Sequence, residues 1–459
     1  MTSSLTRLLS GVLCSPVDPD TCERAQLHLL DWLGCAVIGA TEPAGQILRQ
    51  LAGDAPAGAL PVIGGPGVAA ADTAVFVNGG LGNILEMDDI HRGAILHPGP
   101  VVIPAALVAS QVRRAPPAAF LAAIVRGYEA DIRIGCAVGP GHYAKWHNTA
   151  TCGPFAAAAA VASLFELSQD QVVWALGNAG TQASGPWRCR HEAVMTKQLH
   201  TARAAQAGYC AADLAARGFT GPEFILEGEQ GFFDAMCPDP DPDGIGAPLD
   251  GPWRIWETSF KPWPACRHTH AAIDAALLLG PRVAANLPDI RAIRILTYGD
   301  AATFCDRAEP TTPHEAKFSL QHAVALALSD GEPDLSGFAR IVIDRPDIAR
   351  LRAVSIVEID SRFDGPYPAR FGSAVEIDLA SGETLQECVP DALGDPENPL
   401  SADRIIAKAK NLMAAAGVSD NSILAVVTTA LDLASGRPVS DLVAALAPLQ
   451  NQINEARTA

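Results

Sequence analysis

Four stretches of the chain gather side chains that could move protons or hold anions. The first is Glu86-Met87-Asp88-Asp89-Ile90-His91-Arg92, followed by His97-Pro98. Carboxylates this close to an imidazole can orient a general base, and His97 stands just before a helix start. The competing reading is a helix C-cap with a solvated turn, His97 then being a core ring bonded to a backbone carbonyl. The second runs from His142 to Thr149 and precedes an alanine-rich segment. Here His147 would meet an anion at a helix N-terminus, or else belong to a capping loop plugged by Trp146. In the third, Met195 to His200, Lys197 and His200 share one helical face. The apolar surroundings suggest a partly buried amine, against the default of a solvated lysine. The fourth is Lys261-Pro262-Trp263-Pro264-Ala265-Cys266-Arg267-His268-Thr269-His270. Lys261 and Arg267 could pair with carboxylates, Arg267 bidentately, or be ordinary charge at a hinge. His268 and His270 lack companion ligands at metal-site spacing, so no metal is expected.

Several common chemistries have no motif here. The chain has no G-x-x-x-x-G-K-[ST] and no dinucleotide fingerprint after Gly139-Pro140-Gly141. His191-Glu192 and His314-Glu315 begin like zincin motifs, but Met195 and Phe318 stand where the second histidine should be. Ser184 lacks the first glycine of a nucleophile elbow. Side chains alone are expected to carry the chemistry, with no cofactor.

The elements that must position these groups are mostly helical over the first 260 or so residues. Apolar spacing predicts helices over 20–39, 98–112, from Pro117 onward, 151–167 and 197–217, with Ser168 capping 169–176 and Gly218 as a stop. Residues 237–251, CPDPDPDGIGAPLDG, predict an exposed loop without regular structure. After about residue 265 the pattern mixes. Helices are predicted over 270–279 and 315–329, and strands over 290–298, 354–360, 374–379 and 384–389, the last two as a hairpin. From Ser401 the chain returns to helix, expected to pack back on the first part. The fold class is therefore mainly α with a smaller α+β domain: a discontinuous helical domain of 1–264 and 398–459, and an α+β lid over 265–397.

Bulk composition narrows the function. The chain of 459 residues is 49% hydrophobic, which excludes disorder. Its net charge of −18, with no Lys or Arg run, speaks against nucleic acid as a partner. An anionic substrate would then need a locally positive pocket. Eleven scattered cysteines with no C-x-x-C pair fit a reducing compartment. No apolar run reaches the roughly 20 residues a bilayer requires, and the N-terminus has no leader pattern. A cytoplasmic location without a membrane partner is expected.

The same stretches carry a family resemblance. NGGLGNILEMDDIHRGAILHPG, GHYAKWHNTATCGPFAAAA, MTKQLHTARAA, KPWPACRHTH and EAKFSLQHAVALALSDG resemble, in order and spacing, segments of the MmgE/PrpD family, which includes 2-methylcitrate dehydratase. The resemblance covers almost the whole chain. It implies a helical domain built from both chain ends, a smaller α+β lid, a homodimer, and no metal or organic cofactor. Activities in the family include 2-methylcitrate dehydration, cis-aconitate decarboxylation and iminodisuccinate epimerisation, all on small polycarboxylates. By position it places Glu86, Ile90, His97, His147, Lys197, Lys261, Cys266 and Phe304 in the pocket. Glu86 stands where an aspartate is usual and Ile90 where a threonine is frequent. Cys266 and Phe304 stand where cis-aconitate decarboxylases carry a histidine and a tyrosine.

The expected reaction is removal of a proton alpha to a carboxylate of a small di- or tricarboxylate, in a dehydratase-type lyase resembling 2-methylcitrate dehydratase. His97 or His147 is the base, with Asp88 and Glu86 orienting it. Lys197, with Lys261 and Arg267, holds the carboxylates, and His200, Cys266, Ile90 and Phe304 line the substrate. These groups are expected to meet in a cleft between helical body and lid. The alternatives are an epimerase, racemase or decarboxylase of the same family, or a non-catalytic polycarboxylate-binding protein.

Overall fold

In the computed structural model, residues 3–54, 57–65, 68–192, 194–248 and 251–455 are described. The protein is mainly helical with a small mixed sheet. It divides into two compact units, one of Met1–Ile84, Asp88–Thr258 and Ser401–Ala459, the other of Leu85–Met87 and Ser259–Leu400. The three residues around Glu86 thus group with the second unit, although both flanks belong to the first. No helix among the described residues is long and apolar enough to cross a membrane.

The first unit is organised around helix Asn148–Leu164, which packs against helices Pro117–Ala137, Thr196–Ala216 and Gly99–Arg113. Its residues Ala156 to Ala160 are all buried, and small side chains let neighbouring backbones come close. Gly208 shows how close: a Cβ there would lie 2.3 Å from the Pro154 carbonyl oxygen. The helix begins three residues before the predicted start at residue 151, so His147 becomes the N-cap residue. Ser168 caps helix Gln169–Gly180 through a full capping box with Gln171, and Gly218 leaves helix Thr196–Ala216 at φ +90°.

Helix Pro19–Gly39 starts on Asp18, whose carboxylate accepts from Thr21 N at 2.8 Å, with Pro19 at the first helical position. Helix Ala402–Ala415, the first of the C-terminal segment, lies on it. Gly34 permits that approach, since a Cβ there would stand 2.9 Å from Ala409 Cα. Lys408 Nζ meets Asp31 Oδ1 at 2.6 Å inside this contact.

Residues 237–248 carry neither strand nor helix, and residues 249 and 250 of that predicted loop lie outside the described residues. Contrary to expectation, the loop is not wholly exposed: Cys237 and Ile245 are buried. Arg133 explains this, its Nη1 donating to the carbonyls of Gly244, Ile245 and Ala247. A short ribbon pairs β1 (Ala57–Pro61) with β2 (Val68–Ala69).

The second unit holds a four-stranded sheet of β3 (Ile290–Thr297), β4 (Ser355–Ile359), β5 (Ser373–Leu379) and β6 (Thr384–Val389), in the order β4-β3-β5-β6. β3 and β4 are parallel, joined through helices, while β5 and β6 form the antiparallel hairpin. Helix His270–Val283 packs on β5 and β6 and against helix Leu320–Asp330. The single helix expected over 315–329 is interrupted. Pro313–Lys317 ends at Phe318, and Ser319 caps the next helix by accepting from His322 N at 3.0 Å.

Candidate active site

In the first unit, His97 is fixed by the turn that precedes helix Gly99–Arg113. Its backbone N–H donates to Thr149 Oγ1 at 3.0 Å. Its Nδ1 lies 2.9 Å from Asp88 Oδ2 and 2.9 Å from the Asp89 carbonyl oxygen. Two acceptors at one nitrogen place the ring proton on Nδ1, which leaves Nε2 as the basic atom. Asp88 is held in turn by Asn83, whose Nδ2 donates to both carboxylate oxygens at 2.9 and 2.8 Å.

Asp89 takes no part as a base. Its Oδ2 accepts from Tyr128 OH at 2.6 Å and meets His28 Nδ1 at 2.7 Å, while Oδ1 accepts from Gly99 N at 3.0 Å. Burial pushes its carboxyl up to about 6 and holds His28 well below the ordinary histidine range, so His28 donates as a neutral ring. This network anchors the backbone whose carbonyl receives the His97 proton.

His147 stacks on Trp187, with ring centroids 4.2 Å apart and planes at 8°. Its Nδ1 is 3.2 Å from His200 Nδ1, so one ring donates and the other accepts. Burial, then the Lys197 charge, then His200 and His97 hold His147 well below its usual range. Burial followed by Lys197 brings His200 down to about 4. His147 thus lies within electrostatic reach of His97, His200 and Lys197, and His200 within reach of Lys197. At neutral pH His147 and His200 are uncharged imidazoles beside an ammonium group.

Asp131 on helix Pro117–Ala137 is fully buried, and neither carboxyl oxygen has a hydrogen-bond partner among the described residues. Burial, with Asp89 adding to it, pushes its pKa well above the ordinary carboxyl range. The folded state thus keeps a proton that the unfolded chain releases above pH ~4, so stability falls as pH rises through that interval. Asp131→Asn is neutral at every pH. It should stabilise the protein at pH 8 and lose that advantage below pH ~4, as urea unfolding across this range would show. Equal pH slopes for the two proteins would contradict the assignment.

The second unit holds Glu86, Lys261, Cys266, Arg267 and Phe304, while Ile90 lies in the first. Lys261 is fully buried, its Nζ 3.7 Å from Glu86 Oε2. Glu86 adopts φ 60°, a left-handed conformation costly for a residue with a Cβ. Such strain tends to persist where surrounding structure enforces a functional geometry. Glu86 was expected to orient a histidine base; its ion pair is instead with Lys261, and the carboxylate beside His97 is Asp88.

Arg267 was expected on substrate carboxylates. Its guanidinium is committed within the fold, to Asp395 and to the carbonyls of Ala392 and Leu393, with His270 Nδ1 at 3.1 Å. A buried arginine needs such partners, and these use its carboxylate-matching face. Phe304 stacks on His268 at 5.4 Å and 10°, and Phe371 stacks on it at 5.3 Å and 10°. His268 Nδ1 lies 2.7 Å from Tyr298 OH. Ile90 is a buried apolar side chain beside the Asp88–Asp89 pair. Among the described residues no three His, Cys, Asp or Glu side chains are arranged to hold a metal.

Sequence reasoning passed over Asn83, His28, Tyr128, Trp187, and the His268–Tyr298 pair. His28 and Asp31 gave one signal, as polar residues three apart inside a largely apolar helix.

A histidine held by a carboxylate, beside two neutral imidazoles and a lysine, is the equipment of proton transfer at an anionic substrate. Residues 3–244 match the model of the MmgE/PrpD N-terminal domain, and residues 263–433 that of the C-terminal domain. The chain belongs to the MmgE/PrpD family. It is 28% identical over 453 residues to a cis-aconitate decarboxylase of Aspergillus terreus, covering 92% of this chain and 90% of that protein. Identity to human cis-aconitate decarboxylase is 26% over 423 residues, covering 88% and 85%. A cis-aconitate decarboxylase-like protein, oryM, of Aspergillus oryzae is 26% identical over 474 residues, covering 97% and 96%.

Proposed function

We propose that this protein is a lyase acting on a small di- or tricarboxylate, with His97 removing the proton alpha to a carboxylate. The observation that carries the reading is the His97–Asp88 contact at 2.9 Å, which fixes the ring proton on Nδ1 and makes Nε2 the acceptor. The electron pair left by the proton spreads onto the adjacent carboxylate. Lys197 supplies the positive charge for that carboxylate, in a protein otherwise strongly acidic. Lys197, the ammonium group felt by the neutral His147–His200 pair, then delivers a proton to the departing β-hydroxyl, which leaves as water.

Decarboxylation is the second reading, favoured by the cis-aconitate decarboxylases among the relatives. The Lys197 ammonium would then protonate the carbanion left when carbon dioxide departs. Product analysis separates the two. Carbon-13 NMR of 2-methylcitrate, citrate and cis-aconitate incubated with the protein should show an alkene from a hydroxy acid and no released bicarbonate. Bicarbonate from cis-aconitate would replace dehydration by decarboxylation. No change in any of these acids would count against both.

A further inference from the structure

A cavity of about 220 Å³ lies where helices Leu5–Leu13, Pro117–Ala137, Asn148–Leu164 and Gln169–Gly180 meet in the first unit. A water's share of the liquid is about 30 Å³, so the space admits a molecule of several heavy atoms. Leu13, Ala159, Ala162 and Val172 give it apolar walls. Arg126 and Ser163 add polar groups, and the exposed Cys14 and Glu166 stand on the solvent side.

Arg126 gives the cavity its chemistry. Its Nη1 donates to Ser163 Oγ at 2.7 Å and its Nη2 to the Ser15 carbonyl at 3.3 Å, while its Nε is buried without a hydrogen-bond partner. Among the described residues no Asp or Glu forms an ion pair with this guanidinium. The contrast within the protein is plain: Arg133, on the same helix, meets Glu129 at 2.6 Å, and the buried Arg267 meets Asp395. Arg126 is thus a half-buried cation for which the fold supplies no counter-ion. Burial is the largest influence on it and draws its pKa down. Desolvating an unpaired charge is costly, and a carboxylate entering from solvent would offset that cost. The guanidinium N–H groups not used by Ser163 and Ser15 suit such a carboxylate. Ser163 Oγ accepts from Arg126 and so keeps its own proton to donate.

We propose that this cavity is a binding site for a small aliphatic monocarboxylate, held at its charged end by Arg126 and Ser163. The alkyl chain lies against Leu13, Ala159, Ala162 and Val172, where it displaces water from apolar surface. A single cation matches a single negative charge. Glu166 at the rim repels a second one, which distinguishes this ligand from the di- and tricarboxylates proposed as substrates.

The test uses the full chain and does not depend on turnover, so its outcome is separate from that of the proposed lyase reaction. Cys14 lines the cavity and reports whether it is filled. Iodoacetamide is added to the native protein with butyrate, butyramide, succinate or inorganic phosphate, and peptide mass spectra follow the labelling of each cysteine. Butyrate at about 10 mM should slow labelling of Cys14 by about threefold or more and leave the exposed Cys210 and Cys388 unaffected. Butyramide, which has the same shape without the charge, should not protect Cys14, nor should succinate or phosphate. In Arg126→Gln, with folding checked by far-UV circular dichroism, the protection by butyrate should be lost. If that variant does not fold, the comparison of butyrate with butyramide on the wild-type protein decides alone. The proposal is overturned if butyrate leaves Cys14 labelling unchanged. It is equally overturned if butyramide, succinate or phosphate protects as well as butyrate, or if folded Arg126→Gln is still protected.

Discussion

His97→Asn should lower kcat by about 10²–10⁴-fold while leaving the folded protein intact. Asparagine is the informative substitution. Its side-chain amide can still donate toward Asp88, where His97 Nδ1 lies 2.9 Å from Oδ2. What it lacks is the second ring nitrogen, and so the base. An alanine would instead leave Asp88, already held by Asn83, as a buried carboxylate missing a partner. A loss of stability would then be confounded with a loss of chemistry. Steady-state kinetics and thermal unfolding of His97→Asn should separate the two, with kcat falling steeply and Tm nearly unchanged. Activity within threefold of wild type would remove His97 from the mechanism.

The second large effect concerns the return of the C-terminal segment to the helical unit. Lys408 Nζ stands 2.6 Å from Asp31 Oδ1, with both side chains buried. Burial pushes Asp31 up to about 6 even with Lys408 beside it, and the negative charge of Asp89 and Asp88 adds to the rise. Removing the lysine leaves that carboxylate without its cation. Lys408→Met should therefore cost about 3–5 kcal/mol of stability. The double variant Asp31→Leu, Lys408→Met should recover much of the loss, since an apolar pair has no charge to desolvate. Urea unfolding of the single and double variants gives the coupling directly. A single variant within about 1 kcal/mol of wild type would show that the pair is not needed for this contact.

Periodicity and local signals exposed most of the architecture. The hairpin of β5 and β6 and the cap at Ser168 are written in a few adjacent residues, and they appear where those residues place them. The Lys197–His200 face and the position of His97 before Pro98 were legible for the same reason. What stayed hidden depends on partners far apart in the chain. Nothing near Arg267 announces that Asp395 and two carbonyls will consume its guanidinium. Glu86 reads as part of an acidic run, and only the fold gives it Lys261 in place of a histidine. His28 looks like an isolated polar residue in an apolar helix until Asp89 and Tyr128 meet it. Even the break at Phe318 to Ser319 is a local exception, a serine cap inside a segment whose apolar spacing runs on.

Solvent deuterium exchange tests the central claim most directly. The protein is incubated in heavy water with 2-methylcitrate and with citrate, and the recovered acid is inspected by proton NMR. Deuterium should enter alpha to a carboxylate with the wild-type protein and not with His97→Asn. Exchange at the wild-type rate in the variant would show that another group takes the proton, and the role given to the His97–Asp88 pair would fall.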